Sequence, residues 1–453
     1  MKTPRGRSEV TKEWVEHMLT EFESRNNLGS KVTLQSWDIG DATNKGDGYS
    51  GDLVKLEAKG TVQCTGKAQH EKEYHHILKF MSPEPFMHEM LKRFHTYGNE
   101  SKIYSSIIED LNKFQADHSD NQFPINIPKH IYSKDTNKEQ ILVMENMKIL
   151  DYDNNPKKNG LGLEEAKLAL EQLARLHGVS YTYHTKNDFL TKYPNFKRGK
   201  MHQMMAMGQD GIIDMVIEFL KTQDEHEDLL KKVIASKPHT VKKMNDAFNE
   251  RNGQVYCLNH GDPWNNNILI KQSANAKEEK VVFVDWEFAH WNTSSYDLNY
   301  FLAGATTPEL RKNHLDDLLQ HYYSHFTRVT NTLGSPVPGW GFEQLSAEFD
   351  AVSAWGFGKS LTFSMILSEA IKDWKLANHE LPSAIATFLM KGIAKVLMPL
   401  FIKPSMMEMM KKGKKKKLSD PVLKELKTNS NKDLNVRFLD CILEADQKGI
   451  FDI

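Results

Sequence analysis

The sequence predicts a two-lobed α+β protein, with a small β-sheet lobe first and a mainly helical lobe after it. Three observations predict this. Apolar residues alternate with polar ones through the first third of the chain, as strands require, and recur at helical spacing through most of the rest. The sheet pattern stops near Asn146 to Asp153, where a polar Asn/Lys-rich stretch begins, so the expected lobes are residues 1–147 and 148–453. No internal repeat interrupts the order, and 453 residues are enough for one large two-lobed domain.

The first lobe opens on an expected helix over 12–28, with Trp14, Val15, Met18, Leu19 and Phe22 on one face. Strands follow at 32–39 and 53–63, with a glycine-rich stretch from Gly40 to Gly51 between them. A third strand over 74–81 ends at the Ser82-Pro83-Glu84-Pro85 break. A helical segment is expected over about 85–114, in two pieces jointed at Tyr97-Gly98, and 131–132 pairs with 140–144 as a hairpin. In the second lobe, 164–177 reads as a helix with Leu163, Ala166, Leu170, Leu173 and His177 on one face. Further helices are expected near 207–222, 224–248, 307–333, 343–373, 381–400 and 433–447. Two short apolar β-runs, 268–270 and 281–284, interrupt them.

Composition excludes several classes of function. With 39% apolar and 26% charged residues the chain reads as a soluble globular protein. A net charge of −1 provides no field to gather nucleic acid, so no nucleic-acid partner is expected. No apolar run approaches the roughly 20 residues that cross a bilayer, so no transmembrane segment is expected. The first residues, Met1 to Val10, are polar and basic, unlike a signal peptide. Cys64, Cys257 and Cys441 lie too far apart for a disulfide framework or a metal-ligand spacing, which fits a reducing interior. A soluble cytoplasmic protein is the expectation. The basic run from Lys411 to Lys417 (KKGKKKK) reads first as a solvated loop. Contact with an anionic membrane surface is its second reading, helped slightly by Met406, Met407, Met409 and Met410 beside it.

The strongest chemical signal is His260-Gly261-Asp262-Pro263-Trp264-Asn265-Asn266-Asn267, followed by the apolar Ile268-Leu269-Ile270. Gly-Asp alone is ordinary turn chemistry. An Asp followed five residues later by an Asn, directly before a short strand, is the pattern of a kinase catalytic loop. There the Asp, here Asp262, accepts or orients the substrate hydroxyl's proton, and the Asn, here Asn267, holds a metal ion. The strand Val281-Val282-Phe283-Val284 then delivers Asp285, where kinases carry a second metal-binding Asp. Phosphoryl transfer needs both, because the reacting phosphoryl spreads negative charge over several oxygens. The cofactors implied are ATP and Mg²⁺, which prefers oxygen ligands such as Asp285 and Asn267.

His-Gly-Asp-x-Trp-x-x-Asn, then a β-hairpin and Val-Asp, resembles the aminoglycoside phosphotransferase and choline kinase group, of protein-kinase-like fold. Within it the chain looks like the ecdysteroid kinase-like family, from about Trp14 to Phe451. The resemblance implies further site residues. Gly46-Asp47-Gly48-Tyr49-Ser50-Gly51 sits where the family has a phosphate-covering turn, so Gly46, Gly48, Tyr49, Ser50 and Gly51 are candidate nucleotide contacts through backbone. Lys79, on a strand that exits at proline, resembles the family's lysine that reaches the α and β phosphates. A strand lysine ordinarily faces solvent. Leu78 and Phe80 share the other face, which leaves Lys79 pointing either to the cleft or to water. Its expected acidic partner is Glu100, in Asn99-Glu100-Ser101-Lys102-Ile103-Tyr104, with Glu89 as competitor. Met144-Glu145-Asn146-Met147 resembles the hinge whose backbone reads adenine, which makes Glu145 and Met147 candidate nucleotide contacts; Asn146 replaces the usual Asp. His177, in Leu-Ala-x-x-His, and His260 are structural by this reading, and Asp297 is a helix-starting carboxylate that braces the catalytic loop. One departure is Asp285-Trp286-Glu287 in place of the family's Asp-Phe-Gln: Glu287 either adds a metal ligand or faces solvent.

The leading function is therefore ATP-dependent transfer of phosphate to a hydroxyl of a small molecule. The short stretch between Asp285 and Asp297 leaves no room for a peptide-docking activation loop, which argues for a small hydroxylated acceptor. Resemblance suggests an ecdysteroid or another lipophilic alcohol, and Trp355, Phe357, Phe363, Met365 and Trp374 are either its apolar wall or core. The alternative is a catalytically silent nucleotide- or lipid-binding kinase-like protein, against which the intact polar set speaks.

Overall fold

The computed structural model describes residues 1–42, 51–81, 96–136, 139–154, 160–197, 209–249, 254–271, 281–367 and 432–453. Helix α1 (Lys12–Asn26) starts where Thr11 Oγ1 accepts the Trp14 amide at 3.2 Å. Strands β1 (Lys31–Asp41), β2 (Gly51–Gln63), β3 (His70–Met81), β4 (His130–Asp135) and β5 (Gln140–Glu145) form one antiparallel sheet in the order β1-β2-β3-β5-β4. That order puts β3 in the middle, with Lys79 opposite Leu53 on one side and Leu142 on the other.

Alternation along β3 sorts its side chains onto two faces, both covered over its last four residues. Tyr74, Leu78 and Phe80 join Trp14, Val15, Met18 and Leu19 in the core beneath α1. Each of these apolar side chains, once buried, contributes about 1.5–3 kcal/mol relative to exposure. Met81, Leu142 and Met144 face the other way, against Tyr97, Ile103, Tyr104 and Ile107. These come from α2 (Thr96–Lys102), a π-helical turn (Ile103–Ile107) and α3 (Ile108–Ser119), which run on without a break. Among the described residues the helix runs through Tyr97-Gly98 without a break, and the preceding piece expected from 85 lies outside them; Gly98 lets Asp135 approach so closely that a Cβ would stand 2.6 Å from its Oδ2.

The second lobe is mainly helical. Helices α4 (Leu163–Asn187) and α8 (Pro308–Thr332) pack through one continuous core that includes Leu170, Leu173, Leu318, Tyr322 and Phe326. Helices α5 (Gln209–Leu220), α6 (Glu227–Asp246), α10 (Ser353–Leu367) and α11 (Lys432–Gln447) share a second core around Phe219, Leu361 and Phe438. Buried Arg311 of α8 grips Glu444 of α11 with Nε at 3.0 Å and Nη2 at 2.6 Å.

Between these helices lie two small sheets. Strand β7 (Tyr256–Asn259) pairs with β10 (His290–Thr293), and β8 (Ile268–Lys271) pairs with both β6 (Tyr152–Asn154) and β9 (Val281–Phe283). Helices α7 (Ser294–Ala305) and α9 (Phe342–Ala351) complete the lobe. The single helix expected over 343–373 is broken at Val352. Its ψ of 11° leaves the helical region, and Ser353 Oγ takes the Asp350 carbonyl at 2.7 Å. The expected helix over 381–400, the end of the 343–373 segment, the Ser82–Pro85 break and the basic run lie outside the described residues. Among the described residues no helix is long and apolar enough to cross a membrane. All three cysteines are buried and unpaired.

Candidate active site

Two loops are held side by side by the small sheets. Residues 260–267 run from β7 to β8, and 284–289 run from β9 to β10. Because β7 pairs with β10 and β8 with β9, the loops meet, and the Val284 amide donates to the Asn267 carbonyl at 2.9 Å. Gly261 has φ +85°, and a Cβ there would stand 2.0 Å from the Phe288 carbonyl oxygen, so glycine alone fits. Asp285 adopts φ +65° without being glycine, a strain of about 1–3 kcal/mol that the surrounding bonds sustain.

Asp297, in the first turn of α7, fixes the start of the first loop. Its Oδ2 accepts from the His260 amide at 2.6 Å and from His177 Nε2 at 3.2 Å, and its Oδ1 accepts from the Gly261 amide at 2.9 Å. His177 Nδ1 is in turn 2.8 Å from the Tyr322 hydroxyl. Burial alone would raise the Asp297 carboxyl, but the bond and charge of His177 with the Gly261 amide hold it below the ordinary carboxylate value. His260 is neutral, since burial pushes it down to about 4. Its Nε2 donates to the Val284 carbonyl at 3.1 Å and its Nδ1 accepts the Asp262 amide at 3.2 Å, which locks both loops to one ring.

Asp262 stands half-buried on this scaffold. Asn267 Nδ2 donates to its carbonyl at 3.0 Å and to its Oδ2 at 2.8 Å, and the Tyr300 hydroxyl donates to its Oδ1. Burial pushes the Asp262 carboxyl up to about 7; the Tyr300 bond opposes this and the charge of Asp285 adds to it. A carboxylate poised near neutrality suits a general base.

Lys79 crosses from the first lobe to the second. Its ammonium donates to Glu100 Oε2 at 2.7 Å and to Asp285 Oδ1 at 2.7 Å, with Glu287 Oε2 at 4.0 Å. Burial would lower it, but Asp285, Glu100 and Glu287 outweigh that and hold it well above its ordinary value. The carboxylates are crowded in return. Glu100 is pushed up to about 6 by burial, against the pull of Lys79, and Glu287 is raised by burial and then by Asp285. Oxygens of Glu100, Asp285 and Glu287 all lie within 4.8 Å of one another. Asn267 spends its amide N–H on Asp262, which leaves its amide oxygen as the atom able to ligate a cation. An all-oxygen donor set of this kind fits a hard divalent cation such as Mg²⁺.

The structure thus brings together Asp262, Asn267, Asp285, His260, Asp297, Lys79 and Glu100. Lys79 points into the cleft and pairs with Glu100; Glu89 lies outside the described residues, as do Gly46, Gly48, Tyr49 and Ser50. Gly51 opens β2 opposite Met81. Glu145 ends β5 opposite His76, and Met147, two residues on, packs on Tyr152 and on Val282 of β9. Glu287 is buried, so the solvent-facing alternative fails. Trp286 fills the space behind the loops, with its ring centroid 4.4 Å from that of His260 and its Nε1 donating to the Phe283 carbonyl at 3.1 Å.

Two residues went unread in the sequence. Tyr300 stands three residues after Asp297, the spacing of one helix face, and that was its available signal. Lys359 is the single charge in the otherwise uncharged α10, and its ammonium lies 4.4 Å from the Trp355 ring centroid and 4.6 Å from that of Tyr300. Trp355 and Phe363 pack with Trp264, Tyr296 and Tyr300 in one buried aromatic cluster behind Asp262, while Phe357 packs elsewhere, against Phe451. Trp374 and the side chain of Met365 lie outside the described residues.

The model of the ecdysteroid kinase-like family matches residues 45–335. No curated protein matches. Solved structures similar to this chain include a provisionally assigned aminoglycoside phosphotransferase from Ralstonia eutropha JMP134, 10% identical, with 94% of this chain and 97% of that one covered at a TM-score of 0.40. Another is choline kinase from Cryptosporidium parvum Iowa II, 11% identical, covering 85% and 95% at a TM-score of 0.40. A third is the GDP complex of aminoglycoside 2′-phosphotransferase-IIIa, 11% identical, covering 85% and 100% at a TM-score of 0.38.

Proposed function

The chain belongs to the ecdysteroid kinase-like family, with a two-lobed protein-kinase-like fold, and on that premise we propose that it is an ATP-dependent phosphotransferase acting on a hydroxyl of a small molecule. One observation carries the reading: Lys79 of the sheet lobe bonds Glu100 and Asp285 at 2.7 Å each, in the cleft where Asp262 and Asn267 bond one another. In this reading residues 1–147 bind the nucleotide and 148–453 carry the catalytic loop and the acceptor pocket. Lys79, steadied by Glu100, binds phosphate oxygens. Residues 46–51 contact the phosphates through backbone, and backbone at Glu145 and Met147 reads adenine. Asp285 and Asn267, with Glu287 beside them, would hold Mg²⁺, which supplies neutralisation of phosphate charge when bound.

Asp262 takes the acceptor hydroxyl's proton. The acceptor oxygen forms a bond to the γ-phosphorus, the bond from phosphorus to the bridging oxygen breaks, and ADP leaves with that electron pair. His260, His177 and Asp297 hold the loop in place. The acceptor we favour is an ecdysteroid or another lipophilic alcohol, because aromatic side chains crowd the region behind Asp262 and the segment between Asp285 and Asp297 is too short to dock a peptide. The buried, unpaired cysteines fit a cytoplasmic setting. The test is ATP consumption by the purified chain over hydroxysteroids, sugars and amino alcohols, with mass spectrometry of the product. At least one alcohol should raise ADP release and gain a phosphate. A chain that neither binds Mg·ATP nor phosphorylates any alcohol refutes the reading.

A further inference from the structure

Lys359 is the only charged residue of α10, whose neighbours Trp355, Phe357, Ser360, Leu361 and Phe363 are buried. A half-buried ammonium ordinarily demands a carboxylate, since burying an unpaired charge is costly. Among the described residues no carboxylate lies within ion-pair distance of it. It rests instead on the faces of Trp355 and Tyr300, with ring centroids at 4.4 and 4.6 Å. Tyr300 is the residue whose hydroxyl donates to Asp262, so the ammonium lies one ring away from the candidate base. Burial pushes it down to about 8 while the charge of Asp262 pulls the other way, so the ammonium and that carboxylate feel each other across the site. Lys79, by contrast, is already gripped by Glu100 and Asp285, with Glu287 next.

Among the described residues the cleft therefore has one cation committed to carboxylates on its nucleotide side, Lys79, and one not held by a carboxylate on the Asp262 side, Lys359. We propose that Lys359 is a catalytic residue of the transfer, whose ammonium meets the phosphoryl group as it passes from nucleotide to acceptor beside Asp262. The inference rests on the phosphotransferase reading above. Lys359 takes part in no covalent step: it offsets negative charge on the phosphoryl oxygens while the acceptor oxygen–phosphorus bond forms and the bridging bond breaks. A preformed donor at that point is worth most where charge is transient and water is sparse.

The experiment needs no known acceptor. Binding of ADP with Mg²⁺ to the full chain is measured by calorimetry with and without aluminium fluoride, a mimic of the transferring phosphoryl. Wild type should bind ADP at least about tenfold more tightly with aluminium fluoride, as expected of a transition-state analogue. Lys359→Met should lose most of that gain and keep its affinity for ADP alone. Lys359→Arg, which keeps the charge, should recover part of it. With any acceptor that is turned over, Lys359→Met should lower kcat by about 10²-fold, the scale of losing one oxyanion donor, at unchanged nucleotide KM. A wild type that gains nothing from aluminium fluoride overturns the phosphotransferase reading and this inference with it. A wild type that gains while Lys359→Met gains equally overturns the role of Lys359 alone, as does a change confined to acceptor KM. If Lys359→Met melts early, Lys359→Gln carries the same comparison.

Discussion

Replacing Asp297 by Asn should both destabilise the protein and disable its loop, and the structure sets the size of the effect. The carboxylate accepts three donors: the His260 amide, the Gly261 amide and His177 Nε2. An amide side chain has one acceptor oxygen. Turned to keep His260 and His177, it sets its NH₂ against the Gly261 N–H and loses one charge-assisted bond, about 1.5–3 kcal/mol. The two bonds kept become neutral and lose roughly half their strength. Relief from burying a charge returns part of this, so a net loss of about 3 kcal/mol is expected. Urea unfolding followed by tryptophan fluorescence is a direct assay, since Trp264 and Trp286 lie in the two loops. Turnover should fall by about 10²-fold or more, because a shift of about 1 Å in a positioned group costs that much. The acid limb adds a check. A carboxyl held below its ordinary value contributes stability that is full above the ordinary carboxylate range and is lost as pH falls through its lowered native value. Wild type should therefore lose stability there, and Asp297→Asn should show a flatter profile. Unfolding within about 0.5 kcal/mol of wild type, the range of an inert surface change, would refute the bracing role.

Asp262→Asn should remove transfer by at least about 10²-fold while ADP binding persists, since it deletes the hydroxyl's proton acceptor and no nucleotide anchor; stopped-time product assays and calorimetry separate the two. Asp285→Ala should abolish Mg²⁺-dependent nucleotide binding and Asn267→Ala should weaken it less; unchanged Mg·ATP affinity in Asp285→Ala would move the metal site elsewhere. Arg311→Met should cost about 1.5–3 kcal/mol at neutral pH, because half-buried Glu444 loses its charge-assisted Arg311 bonds and, among the described residues, keeps only Lys448 at 2.8 Å. Burial would raise Glu444, but the Arg311 bonds outweigh it and hold it at about 2, so the pair's contribution is complete above the ordinary carboxylate range and fades as pH falls toward 2. The gap between variant and wild type in urea midpoint should narrow from pH 7 to pH 3, and a constant gap would contradict the assignment.

What was legible in the sequence was local. The Asp262–Asn267 spacing and the strand that delivers Asp285 are contiguous signals, and both loops fall where they were read. The direction of Lys79 was not legible, because alternation names two faces without saying what covers them. In the fold β3 is the central strand and over Leu78–Met81 both its faces are buried: Leu78 and Phe80 go under α1, and Lys79 into the cleft. The strands β7 and β10 are four residues each, too short for periodicity to show. Tyr300 and Lys359 escaped notice for a different reason. Tyr300 meets Asp262 across 38 positions, and Lys359 comes from a later helix still, so no sequence window contains both partners.

Among the described residues the charges in the cleft do not balance locally, and on the proposed phosphotransferase reading that imbalance couples the binding of cation and nucleotide. Glu100, Asp285 and Glu287 converge on the ammonium of Lys79, and Glu100 and Glu287 are raised chiefly by burial, with the charge of Asp285 adding to it. A bare triphosphate entering there would bring more negative charge to a region already in excess. A divalent cation alone would be drawn in, but it would still face the cleft without the phosphate oxygens that complete a hard cation's shell. The arrangement therefore favours the cation and the polyanion together over either one. Lys79 can then exchange Asp285 for a phosphate oxygen while Glu100 keeps its hold, because Glu100 comes from the helix beside the sheet and Asp285 from the far lobe. On the proposed reading the Lys79–Asp285 bond is thus the contact most readily surrendered to a nucleotide, and the Lys79–Glu100 bond is the one that keeps the ammonium aimed.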